Sequence, residues 1–387
     1  MMAALTVVGR WLALMLPVVL LAGCSPSQSS DPIRLGVVLP LTGAFQTYGQ
    51  QGLNGATLAV EQINAAGGVL GRPLQLVVRD NRTLPAEAVR LTRELIQIDD
   101  VFALIGPVSS AARRAMQEVA AQYQVPQFYG IDYEGGQFSR YLICYSTIPA
   151  HYVDPLIPYL KSQSDNSFYI FGYDYVWPHQ MSQRISTEVE RYQGRVAGVE
   201  FTPFGVTDFS AVLARIKASG AQNLMLILPG EDGFNFIRQM HRFDFGRTLN
   251  TVAFAADETY LEALKPDQSQ GLLSALHFIS DKDSPLVRDY VNDYQRRFGD
   301  QTLPTYSSRA HYSQIYLLKR ALEQAGQVDR EAMLDALPGL QLYQGEEGIR
   351  LRADHHFDLP MYLGRFDQGQ LRVIEELGTI SPADQRL

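Results

Sequence analysis

Apolar stretches of two lengths alternate along most of the chain, and their spacing predicts a repeated strand–helix pattern. Short β-branched runs bounded by Pro, Gly or Asp are typical of buried strands, whereas apolar positions three or four residues apart are typical of amphipathic helices. The predicted strands are 33–39, 74–79, 101–105, 126–129, 167–171, 196–201, 223–228 and 251–254. The predicted helices are 48–65, 85–98, 111–123, 178–192, 208–219 and 234–243. This alternation predicts an α/β protein whose parallel sheets carry helices on both faces.

The pattern restarts after about residue 148, so we expect two doubly wound parallel-sheet lobes of similar size. The last third differs: it predicts helices over 285–298, 306–325 and 330–337, followed by strands over 348–351 and 371–374 in a hairpin-like closing segment. In open α/β sheets, ligands bind at the loops that follow the carboxyl ends of the strands. We therefore expect a ligand site in the crevice between the two lobes.

The N-terminus has the composition of an export signal. Arg10 precedes an apolar run over 11–22 that is shorter than the ~20 residues needed to span a bilayer. The run ends in Leu-Ala-Gly-Cys, which resembles the bacterial lipobox, although an ordinary signal peptide with an incidental cysteine would also fit. We expect residues 1–23 to be removed, Cys24 to carry lipid, and the polar segment 24–31 to act as a tether. The mature chain would then be held to the membrane by its lipid, on the periplasmic side of the envelope.

Composition narrows the function further. Cys24 and Cys144 are the only cysteines, so a lipidated Cys24 leaves Cys144 without a partner for an internal disulfide. The formal charge is −8, or about −9 once Arg10 is removed, and the chain contains no basic run. This charge argues against a nucleic-acid partner.

Motifs of catalysis or metal binding are missing from the sequence. No Lys follows a Gly, no His precedes a Glu, and no Gly-x-Ser-x-Gly occurs. His355 and His356 lie among polar residues, and we expect them to be solvated loop residues rather than metal ligands. We therefore expect a binding protein with no cofactor, no metal and no enzymatic activity. An enzyme of unrecognised type is the competing hypothesis.

The candidate ligand-binding residues lie in loops that follow predicted strands. They are Thr42, Phe45, Ser109, Ser110, Tyr129, Ile131, Tyr133, Tyr175, Trp177, Glu231 and Asp257. The two serines begin a helix, where one can cap it or face the cleft beside polarised N–H groups. The aromatic residues at 175 and 177 would form a wall over the ligand, and those at 129 and 133 would face the cleft or belong to the core. Glu231 would receive an amine or amide N–H, whereas Asp257 could equally cap the following helix.

Three segments resemble the type I periplasmic binding proteins of the leucine/isoleucine/valine-binding group. They are LGVVLPLTG at 35–43, EQINAAGGVLGR at 61–72 and IGPVSS at 105–110. The resemblance implies two lobes that close on a small ligand about a hinge, with the ligand then passed to an ABC permease. It also implies discontinuous domains: an N-terminal lobe of 31–148 plus 278–338 and a C-terminal lobe of 149–277 plus 339–387.

Two further segments point to a branch of that group. Tyr133-Glu134-Gly135 and GYDYVWP at 172–178 resemble the amide- and urea-binding members. Amino-acid-binding members usually carry small and hydroxyl residues where this chain has Ile131-Asp132-Tyr133. The resemblance implies a short amide, urea or related polar ligand, with apolar surface facing Ile131, and Asp132 would repel a carboxylate if it faced the cleft. A branched-chain or other amino acid, or a sensing role beside a regulator, are the alternatives.

Overall fold

The computed structural model describes residues 31–163, 166–246, 249–343 and 349–386. The candidate lipidation residue Cys24, the leader and most of the tether lie outside these ranges. The strands are β1 (Ile33–Leu39), β2 (Leu74–Asp80), β3 (Ala103–Ile105), β4 (Gln127–Tyr129), β5 (Leu142–Cys144), β6 (Ser167–Tyr173), β7 (Arg195–Thr202), β8 (Asn223–Ile227), β9 (Asn250–Ala253), β10 (Leu273–Leu276), β11 (Arg350–Leu351), β12 (Phe357–Asp367) and β13 (Gln370–Ile380). The helices are α1 (Gln46–Ala65), α2 (Pro85–Gln97), α3 (Ser110–Gln122), α4 (Pro149–Gln163), α5 (Val176–Arg191), α6 (Ser210–Ser219), α7 (Glu231–Arg242), α8 (Thr259–Ala263), α9 (Pro266–Ser269), α10 (Pro285–Phe298), α11 (Tyr306–Ala325) and α12 (Arg330–Ala336).

The first lobe is built on a parallel sheet with the strand order β2-β1-β3-β4-β5. Its central strands are apolar along their whole length because helices cover both faces, and Val37, Leu39 and Ile105 are fully buried. The strand order places the carboxyl ends of β1, β3 and β4 side by side. The two doubly wound lobes predicted from the sequence are confirmed.

The second lobe is built on a larger sheet with the order β11-β12-β10-β9-β8-β6-β7. Strands β6 to β10 are parallel to their neighbours, whereas β12 is antiparallel to β10 and pairs with β13 as a long antiparallel hairpin. The sequence predicted only the part of β13 over 371–374, since the alternation weakens over the rest of the hairpin.

Helices α10 and α11 pack on α1 and so return the chain to the first lobe. The approach of α1 to α11 is close enough that a Cβ on Gly55 would lie 1.9 Å from the backbone oxygen of Ser308. Only glycine allows this contact. The capping box at the start of α11, between Thr305 and Ser308, fixes where this helix begins.

Helix α4 was not predicted, because Pro155 and Pro158 lie inside it and proline usually ends a helix. Its buried face nevertheless has helical spacing, with Tyr152, Leu156 and Leu160 buried at every fourth position. This segment follows directly from the first lobe and packs on α5, β10 and the β12–β13 hairpin.

The expectation that His355 and His356 are solvated is wrong. Their exposed fractions are 4% and 1%, because this turn is covered by the first lobe. The backbone oxygen of His355 accepts a hydrogen bond from the amide of Cys144, and the ring of His356 bonds the Tyr133 hydroxyl. Burial lowers the pKa of His356 to about 4. Among the residues that the structure describes, no cluster of ligating side chains could hold a metal ion, and no helix is long and apolar enough to cross a membrane.

Candidate functional site

Loops from both lobes meet at a cavity of about 20 Å³. This volume holds one or two water molecules, since ~10–15 Å³ is enough for one, so a ligand of several heavy atoms must displace side chains that line the cavity. The residues that line it are Phe45, Tyr48, Val108, Ser109, Ile131, Asp132, Tyr175, Trp177, Pro229, Ala255 and Tyr306. The loops after β1, β3 and β4 contribute from the first lobe, and those after β6, β8 and β9 from the second. The cavity thus lies where the topology of parallel sheets predicts a ligand site.

Two larger surface depressions, of about 650 and 660 Å³, lie elsewhere. One includes Ile33 and Arg72 and so lies at the amino ends of the first-lobe strands. The other lies beside α4, α5 and the segment after β13. Neither is at the carboxyl ends of strands from both lobes, so the smaller cavity is the better candidate.

Five of the predicted residues line this cavity, namely Phe45, Ser109, Ile131, Tyr175 and Trp177. Ser109 also caps α3, because its hydroxyl accepts a hydrogen bond from the amide of Ala112 at 3.3 Å. Trp177 is 3% exposed, and its indole N–H donates to the hydroxyl of Tyr152 at 3.3 Å. The ring is therefore held in a fixed orientation at the start of α5.

Aromatic rings from the two lobes contact each other beside the cavity. The ring of Phe45, from the first lobe, lies edge-on to Tyr173 at 6.2 Å and to Phe204 at 5.7 Å between ring centres. It also lies 6.5 Å from the ring of Tyr175. These contacts form an apolar aromatic surface where the two lobes meet.

Backbone contacts also join the lobes at the cavity. The hydroxyl of Tyr48 donates a hydrogen bond of 2.8 Å to the backbone oxygen of Ala255. Gly230 has a φ of 86°, and a Cβ there would lie 2.6 Å from the backbone oxygen of Ala44. This positive φ and close approach both require glycine. The structure therefore has its two lobes in direct contact over the cavity.

Two buried carboxyl groups dominate the electrostatics. Burial raises the pKa of Asp132 to about 7, although the hydroxyl of Thr147 donates a hydrogen bond to it, and the carboxyl of Asp257 adds to the rise. Burial likewise raises the pKa of Asp257 to about 7 and that of Glu258 to about 8. Asp257 caps the turn into α8, since its Oδ1 accepts from the amide and hydroxyl of Thr259 at 3.1 and 2.5 Å. Its other oxygen, Oδ2, is buried and has no hydrogen-bond partner in the part of the chain that the structure describes.

The described residues that line the cavity include no Lys or Arg. Arg113 is buried in the first lobe, but its guanidinium donates to Glu134 at 3.1 Å and to Gln117 at 2.9 Å. It also lies 4.6 Å from the ring centre of Tyr133. Arg113 thus pairs with Glu134, which it shares with Arg114, and does not line the cavity.

The remaining predicted residues lie outside the cavity lining. Thr42 is exposed, and its hydroxyl donates to Asp80 at 2.7 Å. The Tyr129 hydroxyl donates to the backbone oxygen of Val108 at 2.7 Å, and Tyr133 is engaged by His356, so both rings belong to the core beside the site. Ser110 is buried in the first turn of α3, and Glu231 is exposed at the start of α7. Asp257 is buried in the turn that follows Ala255.

The model of a protein family described as "Periplasmic binding protein" matches residues 32–370. The chain belongs to the periplasmic binding protein family. Members of this family bind small-molecule ligands outside the cytoplasm and deliver them to ABC transporter permeases. The expected recognition of this family and its two-lobed fold is therefore confirmed.

Several relatives of this periplasmic binding protein match it over most of its length. It is 24% identical over 349 residues to the leucine-, isoleucine-, valine-, threonine- and alanine-binding protein of Pseudomonas aeruginosa, covering 87% of this chain and 91% of the relative. A periplasmic binding protein from Burkholderia mallei has a similar structure, with a TM-score of 0.84 at 20% identity, covering 92% of this chain and 98% of that one. A branched-chain amino acid transporter substrate-binding protein from Streptococcus pneumoniae, solved with isoleucine, has a TM-score of 0.78 at 20% identity, covering 91% and 100%.

Tyr48 and Tyr306 line the cavity but were not predicted to do so. Tyr48 lies within α1 rather than in a loop after a strand, and Tyr306 begins α11, far along the chain from the strands it faces. Asp132, which also lines the cavity, is expected from the sequence only conditionally, as a residue that would repel a carboxylate and accept N–H bonds from an amide or urea if it faced the cleft. The signal that could have found it is an acidic residue directly after a predicted strand that ends in the cleft.

Proposed function

We propose that this chain is the solute-binding component of an ABC importer and that it captures a short amide, urea or related polar ligand between its two lobes. The observation that carries this proposal is the cavity at the strand ends, which offers Asp132 as an acceptor and no Lys or Arg among its described lining residues. A ligand there gains from N–H groups that donate to a carboxyl. A free carboxylate would meet Asp132, and its charge would either force that carboxyl to keep its proton or be repelled in a space where repulsion is poorly screened.

The N-termini of three helices supply hydrogen-bond donors, which complement the acceptor Asp132. The polypeptide enters α1, α5 and α7 beside the cavity, and none of these helices has a side-chain hydrogen bond at its N-cap. Such N-termini attract carbonyl oxygens through their polarised N–H groups. An amide or urea carries both the acceptor for these groups and the donor for Asp132.

An amino acid is the second candidate ligand, because the relative from Pseudomonas aeruginosa is named for binding leucine, isoleucine, valine, threonine and alanine. In that case an α-ammonium group would pair with Asp132 and a carboxylate with the helix N-termini. We favour the amide class, since no described basic side chain in the cavity compensates the carboxylate.

The lobes are proposed to comprise 31–148 plus 278–338 and 149–277 plus 339–387. The packing of α10 and α11 on α1, and the pairing of β12 with β10, support this division. Ligand bound to both lobes would shift the population towards the closed form. We also propose that residues 1–23 are a signal peptide, that Cys24 carries lipid, and that the protein delivers ligand to a permease rather than reporting to a regulator.

The proposed function is tested by a thermal-shift screen of the mature chain against amino acids, short amides, ureas and carboxylates. A ligand at 100 times its dissociation constant stabilises the folded state by about 2.7 kcal/mol. We expect at least one amide or urea to raise the melting temperature and free leucine to have little effect. Stabilisation by leucine alone would replace the amide class with the amino-acid class, and no stabilisation by any compound would count against solute binding itself.

A further inference from the structure

The cavity combines aromatic walls with uncompensated acid groups. Its lining includes the rings of Phe45, Tyr48, Tyr175, Trp177 and Tyr306. Electron-rich faces of Trp and Tyr attract cations, and the attraction strengthens when water is excluded. The cavity walls therefore favour a positively charged group over a neutral one of the same shape.

The acid groups have few partners in the folded chain. Asp132 is 8% exposed and lines the cavity, where the hydroxyl of Thr147 donates to it and the hydroxyl of Tyr306 also lowers its pKa. Asp257 is fully buried, and its Oδ2 has no hydrogen-bond partner among the described residues. Buried carboxylates are stabilised only by an opposite charge or by several hydrogen bonds. Without a described cation beside them, these carboxyls retain protons, which agrees with their raised pKa values.

The helix N-termini at the cavity carry partial positive charge and so disfavour a bound cation, but their effect is smaller than that of the carboxyl groups. Each contributes roughly half of an elementary charge, and the effect falls off within the first turn. At the N-terminus of α3, the amide of Ala112 already donates to the hydroxyl of Ser109 and is not available to a ligand. A carboxylate carries a full charge once its proton is lost, so an ionised Asp132 outweighs the helix ends at the position that it faces.

We propose that the ligand presents a charged analogue of an amide or urea, an amidinium or a guanidinium, to Asp132 inside this aromatic cavity. The inference rests on the proposed function and narrows its ligand class. The cation takes the place of the proton on Asp132, and Asp257 adds to the attraction from behind Ala255. Any acceptor atom of the ligand faces the N-termini of α1, α5 and α7.

The test compares three probes of nearly identical shape, acetamidinium, acetamide and acetate, by calorimetric titration of the mature chain near neutral pH. Hydrogen bonds to charged groups are about twice as strong as neutral ones, so acetamidinium should bind about tenfold more tightly than acetamide. Acetate should bind most weakly. In Asp132→Asn, acetamidinium should lose about tenfold in affinity, whereas acetamide should change by less than about threefold.

Asp283→Asn is the matched control, because it removes the same charge from a side chain that is 91% exposed and remote from the cavity. It should leave the affinity for both probes unchanged. If Asp132→Asn does not fold, the ranking of the three probes on the wild-type chain decides the question alone.

Acetamide binding as tightly as acetamidinium would overturn the inference and leave the proposed amide-binding function standing. Acetate or leucine binding more tightly than both would overturn the inference and the amide class, with solute binding retained. Failure of all three probes would also overturn the inference, and the proposed function falls with it only if the whole panel of amino acids, amides and ureas fails too.

Discussion

The hydrogen bond from Tyr48 to Ala255 joins the two lobes, so removing it tests whether this contact stabilises the closed form. Its length is 2.8 Å, and Tyr48 is 1% exposed. Replacing Tyr48 with Phe removes the donor and leaves the ring in place. In an open form, water satisfies both groups, so the loss falls on the closed form alone. A net hydrogen bond contributes about 0.5–1.5 kcal/mol, which corresponds to a roughly two- to tenfold shift towards the open form.

Ligand affinity should fall by the same factor, since the apparent dissociation constant scales inversely with the population competent to bind. The assay is calorimetric titration with the best compound of the panel, together with the radius of gyration from small-angle scattering. Tyr294→Phe is the control: its hydroxyl donates to Gln51 at 2.6 Å between α10 and α1, within one lobe. This control should lower thermal stability and leave affinity unchanged. If Tyr48→Phe lowers stability as much as Tyr294→Phe does and leaves affinity unchanged, the cross-lobe closure argument is refuted.

Three further predictions concern export, redox state and pH. Cys24→Ala should yield unacylated precursor, and labelled fatty acid on that variant would contradict the lipoprotein assignment. The mature chain should melt at the same temperature with and without reductant, because Cys144 is fully buried and has no partner thiol once Cys24 is lipidated. Unliganded protein should lose stability as the pH rises from about 6.5 to 8, because Asp132, Asp257 and Glu258 keep protons in the folded state that the unfolded chain releases. Below about pH 6.5 the buried His151, His277, His311 and His356 oppose this loss, because burial lowers their pKa values and the unfolded chain binds protons that they do not. The slope should approach 1.4 kcal/mol per pH unit for each such carboxyl, since the phenols around Asp132 stay uncharged over this range. Urea melts measure the free energy of unfolding at each pH. A free energy that falls as steeply with pH in Asp132→Asn as in wild type would contradict this prediction.

The alternating elements of both lobes were predictable because parallel strands buried on two faces are apolar runs of fixed length. For the strands and helices predicted between residues 33 and 254, the predicted and observed ends agree to within about three residues. The helix α4 was missed because Pro155 and Pro158 hide its spacing. His355 and His356 looked solvated because their neighbours along the chain are polar, whereas their neighbours in space come from the first lobe.

The candidate site was predictable in outline and less so in detail. Loops after strands were the right place to search, and Phe45, Ser109 and Trp177 line the cavity as a result. Spacing along the chain does not encode the direction in which a loop side chain points, so Tyr129 lies in the core instead. Residues brought in from distant helices, such as Tyr306 on α11, depend on packing that no local pattern reports.

The central claim is that a small ligand binds between the lobes at the aromatic, acidic cavity. A crystal structure of the mature chain with the tightest-binding compound of the panel tests it most directly. The account predicts ligand density enclosed between Asp132 and Trp177, with the lobes in contact through Tyr48 and Ala255. Ligand found instead in the depression beside α4 and α5, with the cavity between the lobes empty, would contradict it.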